Sequence, residues 1–166
     1  MRITVISGMC AAFLNIGAAT AMPMDMTVDR LLNICEAPTV QAATVKGDEL
    51  GWQRQTDAET EEWRTHFVAY NGGSVEVVGW RRDKAGEAES LSVWVAVGPS
   101  GHKACAYSTK KPAEFLRALS ERLGSPDTLD REDAIEMISA YWKRSSVEYT
   151  FTQIGSSATI NIGQGQ

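Results

Sequence analysis

Residues 91–97, Leu-Ser-Val-Trp-Val-Ala-Val, constrain the fold of this chain more than any other stretch. Their odd positions are all apolar, and alternation with a period of two is typical of a β-strand with one face on a hydrophobic core. The even positions include Trp94, which indicates that the second face is partly covered as well. Weaker alternation at 74–80, 147–152 and 158–162, with turn residues between the runs, predicts a largely antiparallel sheet.

The remaining segments divide into further strands, helices and two ambiguous regions. Short strands are predicted at 66–70, before the tight-turn residues Asn-Gly-Gly, and at 102–107. Helices are predicted where apolar residues recur three to four positions apart or where cap residues and prolines mark a helix end, at 28–36, 39–50 and 112–124. The acidic segment 53–64 is either a surface loop or contains a short helix beginning at Asp57, and 127–139 is either a short helix or a loop before a strand.

This order of elements lacks the strict strand–helix alternation of a parallel α/β sheet, so the fold class is α+β. We expect a mostly antiparallel sheet of about six strands, with two or three helices packed on one face, held by one disulfide. The hairpin of 147–152 and 158–162 is expected to close the sheet at its end.

The first 21 residues have the pattern of a secretory signal peptide. One arginine, Arg2, precedes an apolar stretch that ends in Ala19-Thr20-Ala21, a small-x-small cleavage sequence. The stretch is short for a transmembrane anchor, which needs roughly 20 apolar residues. We therefore expect residues 1–21 to be removed and 22–166 to form a single exported domain, periplasmic or secreted, with no stable membrane insertion.

Two cysteines, Cys35 and Cys105, remain beyond the predicted signal peptide. An even pair in an exported protein predicts a disulfide. Two alternatives are a nucleophilic Cys105 activated by His102 and a zinc site that adds His66. The first is disfavoured because strand positions three apart point to opposite faces. The second lacks any recognised metal-ligand spacing, so no metal and no cofactor are expected.

Charge and motif content exclude several functions. The formal net charge of −5 argues against general binding to nucleic acid, and the Arg81-Arg82 pair is flanked by acids and is expected to be solvated. There is no phosphate-binding loop, dinucleotide fingerprint or nucleophile elbow. Acidic clusters at 59–62 and 130–133 fit solvated surfaces. No catalytic residue is assigned, although His66 would be the first candidate for a general base.

The tryptophans provide the one candidate binding surface. Trp80 with Arg81, and Trp142 with its following cations, lie near strand ends, and Trp and Arg are enriched at protein interfaces. Trp80, Arg81 and Trp142 are therefore predicted to bind a protein partner in the cell envelope. The alternative is that both tryptophans belong to the core, where large aromatic side chains supply much of the burial.

Three functions remain open. The first is a non-enzymatic binding or accessory module, the second an inhibitor or immunity-type protein that blocks a hydrolase or toxin, and the third a hydrolase with an unrecognised site. Ser100-Gly101 with Tyr107 resembles the exposed Ser-Gly loop near a tyrosine of some small periplasmic lysozyme inhibitors, which also share size, export and disulfide use with this chain. That resemblance covers only residues 100–107 with different spacing, so it transfers no residue roles. An inhibitor would require a rigid, exposed loop at 98–102.

Overall fold

The computed structural model describes residues 22–84 and 86–165, so the predicted signal peptide lies outside the described residues. Four α-helices are found in this part of the chain: α1 (Val28–Cys35), α2 (Val40–Asp48), α3 (Asp57–Asn71) and α4 (Phe115–Leu123). Eight strands accompany them: β1 (Gln53–Arg54), β2 (Ser74–Lys84), β3 (Glu87–Val97), β4 (His102–Thr109), β5 (Thr128–Glu132), β6 (Met137–Arg144), β7 (Val147–Ile154) and β8 (Ser157–Gly165). The α+β class is thus confirmed, with more strands and more helices than expected.

All eight strands belong to one antiparallel sheet with the order β1-β2-β3-β4-β8-β7-β6-β5. Each half is a meander, and the two halves join where β4 pairs with β8. The predicted hairpin of β7 and β8 is present, but it does not close the sheet, because β8 lies at the centre. The crossover through α4 places β5 at the far edge, and the chain then runs back towards β4.

The helices pack on both faces of the sheet, and not on one face as expected. Cys35 of α1 is bonded to Cys105, and a Cβ on Gly47 of α2 would meet the Trp80 ring at 2.2 Å. Helix α4 joins the same face, with Phe115 5.2 Å from Tyr107 between ring centroids. The opposite face is contacted by α3 near Trp94.

The core lies between the sheet and helices α1, α2 and α4. Its largest fully buried side chains come from four different strands: Trp80, Tyr107, Trp142 and Phe151. Apolar positions that alternate along β3 and β8 complete the layer, as the period-two pattern predicts. The disulfide joins α1 to β4 across 70 residues, which confirms the predicted pairing of Cys35 with Cys105.

The segment 66–70 is helical, so the strand predicted there is wrong. Thr56 and Glu59 form a capping box that starts α3, and the helix continues through these residues to Asn71. Gly72 then ends it as a left-handed C-cap with φ of 66°. An Asn-Gly pair serves a helix end as well as a hairpin, because both require a positive φ.

The ambiguous segment 127–139 is neither an α-helix nor a simple loop. It contains the edge strand β5, a 3₁₀ turn at Asp133–Ile135 and the start of β6. Strand β5 is exposed along its whole length, and its Asp-Arg-Glu sequence has no apolar alternation. Charges of this kind are typical of edge strands that avoid pairing with other chains.

In the described residues, the helices are too short and too polar to span a bilayer.

Candidate functional site

The turn at residues 98–101 is the exposed connection between β3 and β4. The Gly101 N–H donates to the Gly98 carbonyl over 3.0 Å and closes the turn, and residues 97–100 are exposed. The backbone of Gly73 passes directly beneath, where a Cβ would lie 1.9 Å from the Val97 carbonyl oxygen. Only glycine permits this close approach, and the contact packs the turn against the end of α3 and the start of β2.

His102, the first residue of β4, holds the turn in place through hydrogen bonds of its imidazole ring. Its Nε2 accepts a hydrogen bond from the Trp94 indole N–H at 3.2 Å, and its Nδ1 lies 2.9 Å from the Ser100 carbonyl oxygen. Because a carbonyl can only accept, Nδ1 carries the proton and the ring is held in one neutral tautomer. Ser100 at the tip is thereby connected to the middle of β3 through two hydrogen bonds.

An aromatic cluster, formed by Trp63, Phe67, Trp94 and His102, supports this arrangement. Trp63 and Phe67 lie one helical turn apart on α3 and stack with their ring centroids 4.8 Å apart. Trp63 meets Trp94 edge-on at 5.4 Å, and Phe67 lies 5.4 Å from His102. Edge-to-face and offset-stacked aromatic pairs are favourable beyond their buried area, so α3 holds His102 in place.

Two exposed apolar side chains flank the turn. Tyr70, in the last turn of α3, is 91% exposed, and Val97 at the end of β3 is 59% exposed. Val97 pairs with Ser74, four residues after Tyr70, which brings both to the same end of the sheet. Neither these two residues nor Pro99 and Ser100 carry a charge, and we call Tyr70 and residues 97–101 together the turn surface.

Trp80 and Trp142, predicted to bind a partner, are both completely buried. The Trp80 indole N–H donates to Asp48 at 3.0 Å, and the Trp142 indole N–H donates to the Gly124 carbonyl at 2.8 Å. Each tryptophan points towards the face of the sheet that α1, α2 and α4 cover, and its indole N–H finds a hydrogen-bond acceptor there. The predicted binding surface is therefore not formed. Arg81 remains exposed, where it pairs with Glu59 of α3.

Arg82 is the other half of the arginine pair and is buried, contrary to the expected solvated position. Its side chain is 9% exposed and its guanidinium pairs with Glu89, whose side chain is 10% exposed. Burial lowers the pKa of Arg82, but its hydrogen bonds to Glu89 and Asp25 together outweigh burial and raise the pKa above its ordinary value. The guanidinium also lies 4.8 Å from the Trp52 ring centroid.

Tyr107 completes the buried network by donating its hydroxyl hydrogen to Glu89. Burial and this hydrogen bond raise the pKa of Tyr107, so the hydroxyl keeps its proton. The network borders a cavity of about 520 Å³ next to Pro112 and Phe115. Both Glu89 oxygens are satisfied by protein groups, which is the arrangement of a structural ion pair. Burial of Tyr107 also means that the inhibitor-like pairing of an exposed Ser-Gly loop with a nearby surface tyrosine is not present.

The candidate catalytic groups are not brought together. His66 is exposed on α3. His102 and Cys105 lie on opposite faces of β4: His102 contacts the aromatic cluster, and Cys105 is bonded to α1. Glu59 is used in the capping box, and its neighbour Glu61 pairs with Arg64. Among residues 22–84 and 86–165, no group of three or more potential metal ligands converges.

The sequence did not predict two groups of interacting side chains, the aromatic cluster and the buried Arg82–Glu89–Tyr107 network. The aromatic cluster was signalled only by Trp94 on the second face of β3, and its helix was assigned in part to a strand. The Arg82–Glu89–Tyr107 network joins residues from three strands, and the local sequence around Arg82 and Tyr107 gives no indication that they meet at Glu89. No family model matches the sequence, and no curated protein or solved structure matches the chain.

Proposed function

We propose that the chain is an exported, non-enzymatic module that binds a partner protein in the cell envelope through the turn surface. The observation that carries this proposal is that Ser100 is exposed to solvent while its backbone is held in place by hydrogen bonds. The residue is exposed at the tip of a closed turn, and its carbonyl is held by His102 and, through it, by Trp94. A loop that is already ordered loses little conformational entropy on binding.

Export is supported by the signal-peptide pattern and by the Cys35–Cys105 disulfide. Disulfides persist in oxidising compartments such as the periplasm and the cell exterior. This bond is almost inaccessible to solvent, because its two cysteines are 2% and 1% exposed. These properties fit a structural cross-link in a protein that works outside the cytoplasm.

The chemistry of the turn surface favours a partner with an apolar pocket or groove. Tyr70 and Val97 expose apolar area beside Pro99, and tyrosine is among the residues enriched at interface hot spots. No charged residue belongs to this surface, so shape and apolar contact would provide most of the recognition.

A second form of the same function is an inhibitor or immunity-type protein. It is favoured by the braced turn, of which residues 98–100 are exposed, because complexes of inhibitors with their enzymes commonly use loops that change little on binding. In this form the partner is a hydrolase or toxin, and Ser100 would enter its cleft. A hydrolase function for the chain itself has less support, since His66 is exposed on α3 and His102 is hydrogen-bonded to Trp94 and to the Ser100 carbonyl.

Site-specific photo-crosslinking tests the proposal. A photoreactive side chain is introduced at Ser100 and, as a matched control, at Ser156, which is exposed in the hairpin turn between β7 and β8. With the chain expressed in its native envelope, we expect one discrete protein adduct from position 100 and none from position 156. Equal adducts from both positions, or none from position 100, would reject the turn surface. A stoichiometric loss of the partner's activity would identify the inhibitor form.

A further inference from the structure

A cavity of about 330 Å³ opens beside the disulfide, between the end of α1 and strands β4, β7 and β8. Its lining includes Cys35, Glu36, Lys103, Arg144 and Tyr149. This volume is at the lower end of the range for small-molecule sites, roughly 300–1,000 Å³. The cavity lies on the face of β4 that carries Cys105 and α1, whereas His102 and the aromatic cluster lie on the face that α3 covers.

Lys103 is half-buried in this cavity, and in the described part of the chain its ammonium group has no hydrogen-bond acceptor or ion-pair partner. Burial lowers the pKa of Lys103, and Lys46 acts in the same direction against the opposing effect of Glu36. The other lining cation differs, because the guanidinium of Arg144 donates to the Leu123 and Ser125 carbonyls and to Asp127. Lys103 is thus the cation available to an anionic ligand here.

Glu36 supplies the opposite charge in the same cavity. It caps α1 next to Cys35, and its Oε1 accepts the Tyr149 hydroxyl hydrogen at 2.8 Å. Burial and this hydrogen bond raise the pKa of Tyr149 to about 12, so the tyrosine stays a donor and orients the carboxylate. The second oxygen of Glu36 has no partner in the described residues, and Glu36 forms no ion pair with Lys103.

From this separated pair of charges we propose that the cavity binds a small zwitterion, a molecule of amino-acid size with one carboxylate and one amine. Lys103 would bind the carboxylate and Glu36 the amine, so both charges of the ligand and both charges of the protein are paired. A simple anion would satisfy Lys103 only and would lie near the carboxylate of Glu36. The proposal goes beyond the protein-binding function and does not depend on it.

Calorimetric and NMR titration of the exported chain with L-alanine, acetate and inorganic phosphate tests this inference. We expect saturable binding of L-alanine with shifts at Lys103, Glu36 and Tyr149, and weaker binding of acetate and phosphate. Lys103→Met should weaken L-alanine binding about tenfold or more, because a charge-assisted hydrogen bond is lost. Glu36→Gln keeps an acceptor for Tyr149 and should reduce the preference for L-alanine over acetate.

Lys110→Met is the matched control, because Lys110 is exposed and does not line this cavity. It should leave L-alanine binding unchanged, and the thermal midpoints of all variants verify that they are folded. The inference is overturned if L-alanine shows no saturable binding up to tens of millimolar. It is also overturned if acetate or phosphate binds as tightly as L-alanine, or if Lys103→Met binds L-alanine like the parent chain.

Discussion

Trp94 donates its indole N–H to Nε2 of His102, 3.2 Å away on the neighbouring strand. This contact links the aromatic cluster to the exposed turn, because the same imidazole ring also donates to the Ser100 carbonyl. The rigidity of the turn thus originates on the face of the sheet that α3 covers. Removing the imidazole should loosen the turn without disturbing the main core on the opposite face.

His102→Phe tests this coupling, since phenylalanine keeps the aromatic packing and removes both hydrogen bonds. We expect a loss of about 1–2 kcal/mol in the free energy of unfolding, because two net hydrogen bonds are lost. Amide hydrogen exchange at Gly101 should also accelerate. His66→Phe is the control, because His66 is exposed on α3 and should change stability by less than about 0.5 kcal/mol. Equal effects of the two substitutions would show that His102 does not brace the turn.

Glu89→Gln is expected to be strongly destabilising. It removes the buried one of the two carboxylates that pair with Arg82 and leaves only the exposed Asp25 beside the guanidinium. Breaking a buried ion pair costs up to about 3–5 kcal/mol. Glu87→Gln is the matched control two residues earlier on β3. Glu87 pairs with Lys111 in solvent, with side chains 40% and 64% exposed, so its loss should cost less than about 1 kcal/mol. Chemical denaturation of both variants measures the difference, and a small effect at Glu89 would contradict the assigned pairing.

Gly47→Ala tests how closely α2 packs on the sheet. A Cβ at this position would lie 2.2 Å from the ring of Trp80, which is completely buried. Overpacking of this kind costs about 1–3 kcal/mol, although alanine is the better helix former. Gly163→Ala in β8 meets nothing within 4 Å and is the control. If Gly47→Ala stabilised the chain through helix propensity, the packing of α2 on Trp80 would be looser than described.

The sequence predicted those elements whose apolar residues repeat regularly and face one core. Strands β3, β7 and β8 follow a period of two, and α1 has an apolar stripe that ends at Cys35. Residues 66–70, His-Phe-Val-Ala-Tyr, are too few to separate a strand from a helix, and the capping box that decides between them begins ten residues earlier. Strand β5 has no apolar face, so no pattern marks it.

Which aromatic residues are buried and which are available for binding was harder to predict, because burial depends on contacts between distant segments. Trp80 is buried because α2 supplies Asp48 for its indole N–H, 32 residues earlier in the chain. Trp142 likewise reaches a carbonyl 18 residues away, at the end of α4. Local sequence around each tryptophan shows only the adjacent cations. Strand order decides which residues share a surface, and the central position of β8 was not evident from the turns alone.

The pH dependence of stability should include a contribution from Asp48. Although burial raises the pKa of Asp48, hydrogen bonds from Arg54 and Trp80 have the larger combined effect and lower it below its ordinary value of 3.8. A carboxyl group whose pKa is lowered by folding stabilises the fold above 3.8, and this contribution is lost as the pH falls through the lower folded value. Asp48→Asn should therefore be less stable than the parent at neutral pH, and the difference should shrink in acid. Thermal midpoints measured across this range would contradict the account if the difference were constant.

The most direct test of the proposed function is to measure the affinity of the partner identified by crosslinking for two variants that carry the same substitution at different positions. Ser100→Arg places a large charged side chain on the uncharged turn surface, and Ser156→Arg places the same side chain on the hairpin between β7 and β8. Both positions are exposed, so both variants should fold with the parent's thermal midpoint. We predict that Ser100→Arg lowers the affinity at least about tenfold, as for a residue at the centre of an interface, and that Ser156→Arg leaves it unchanged. An unchanged affinity for Ser100→Arg would contradict binding through the turn surface.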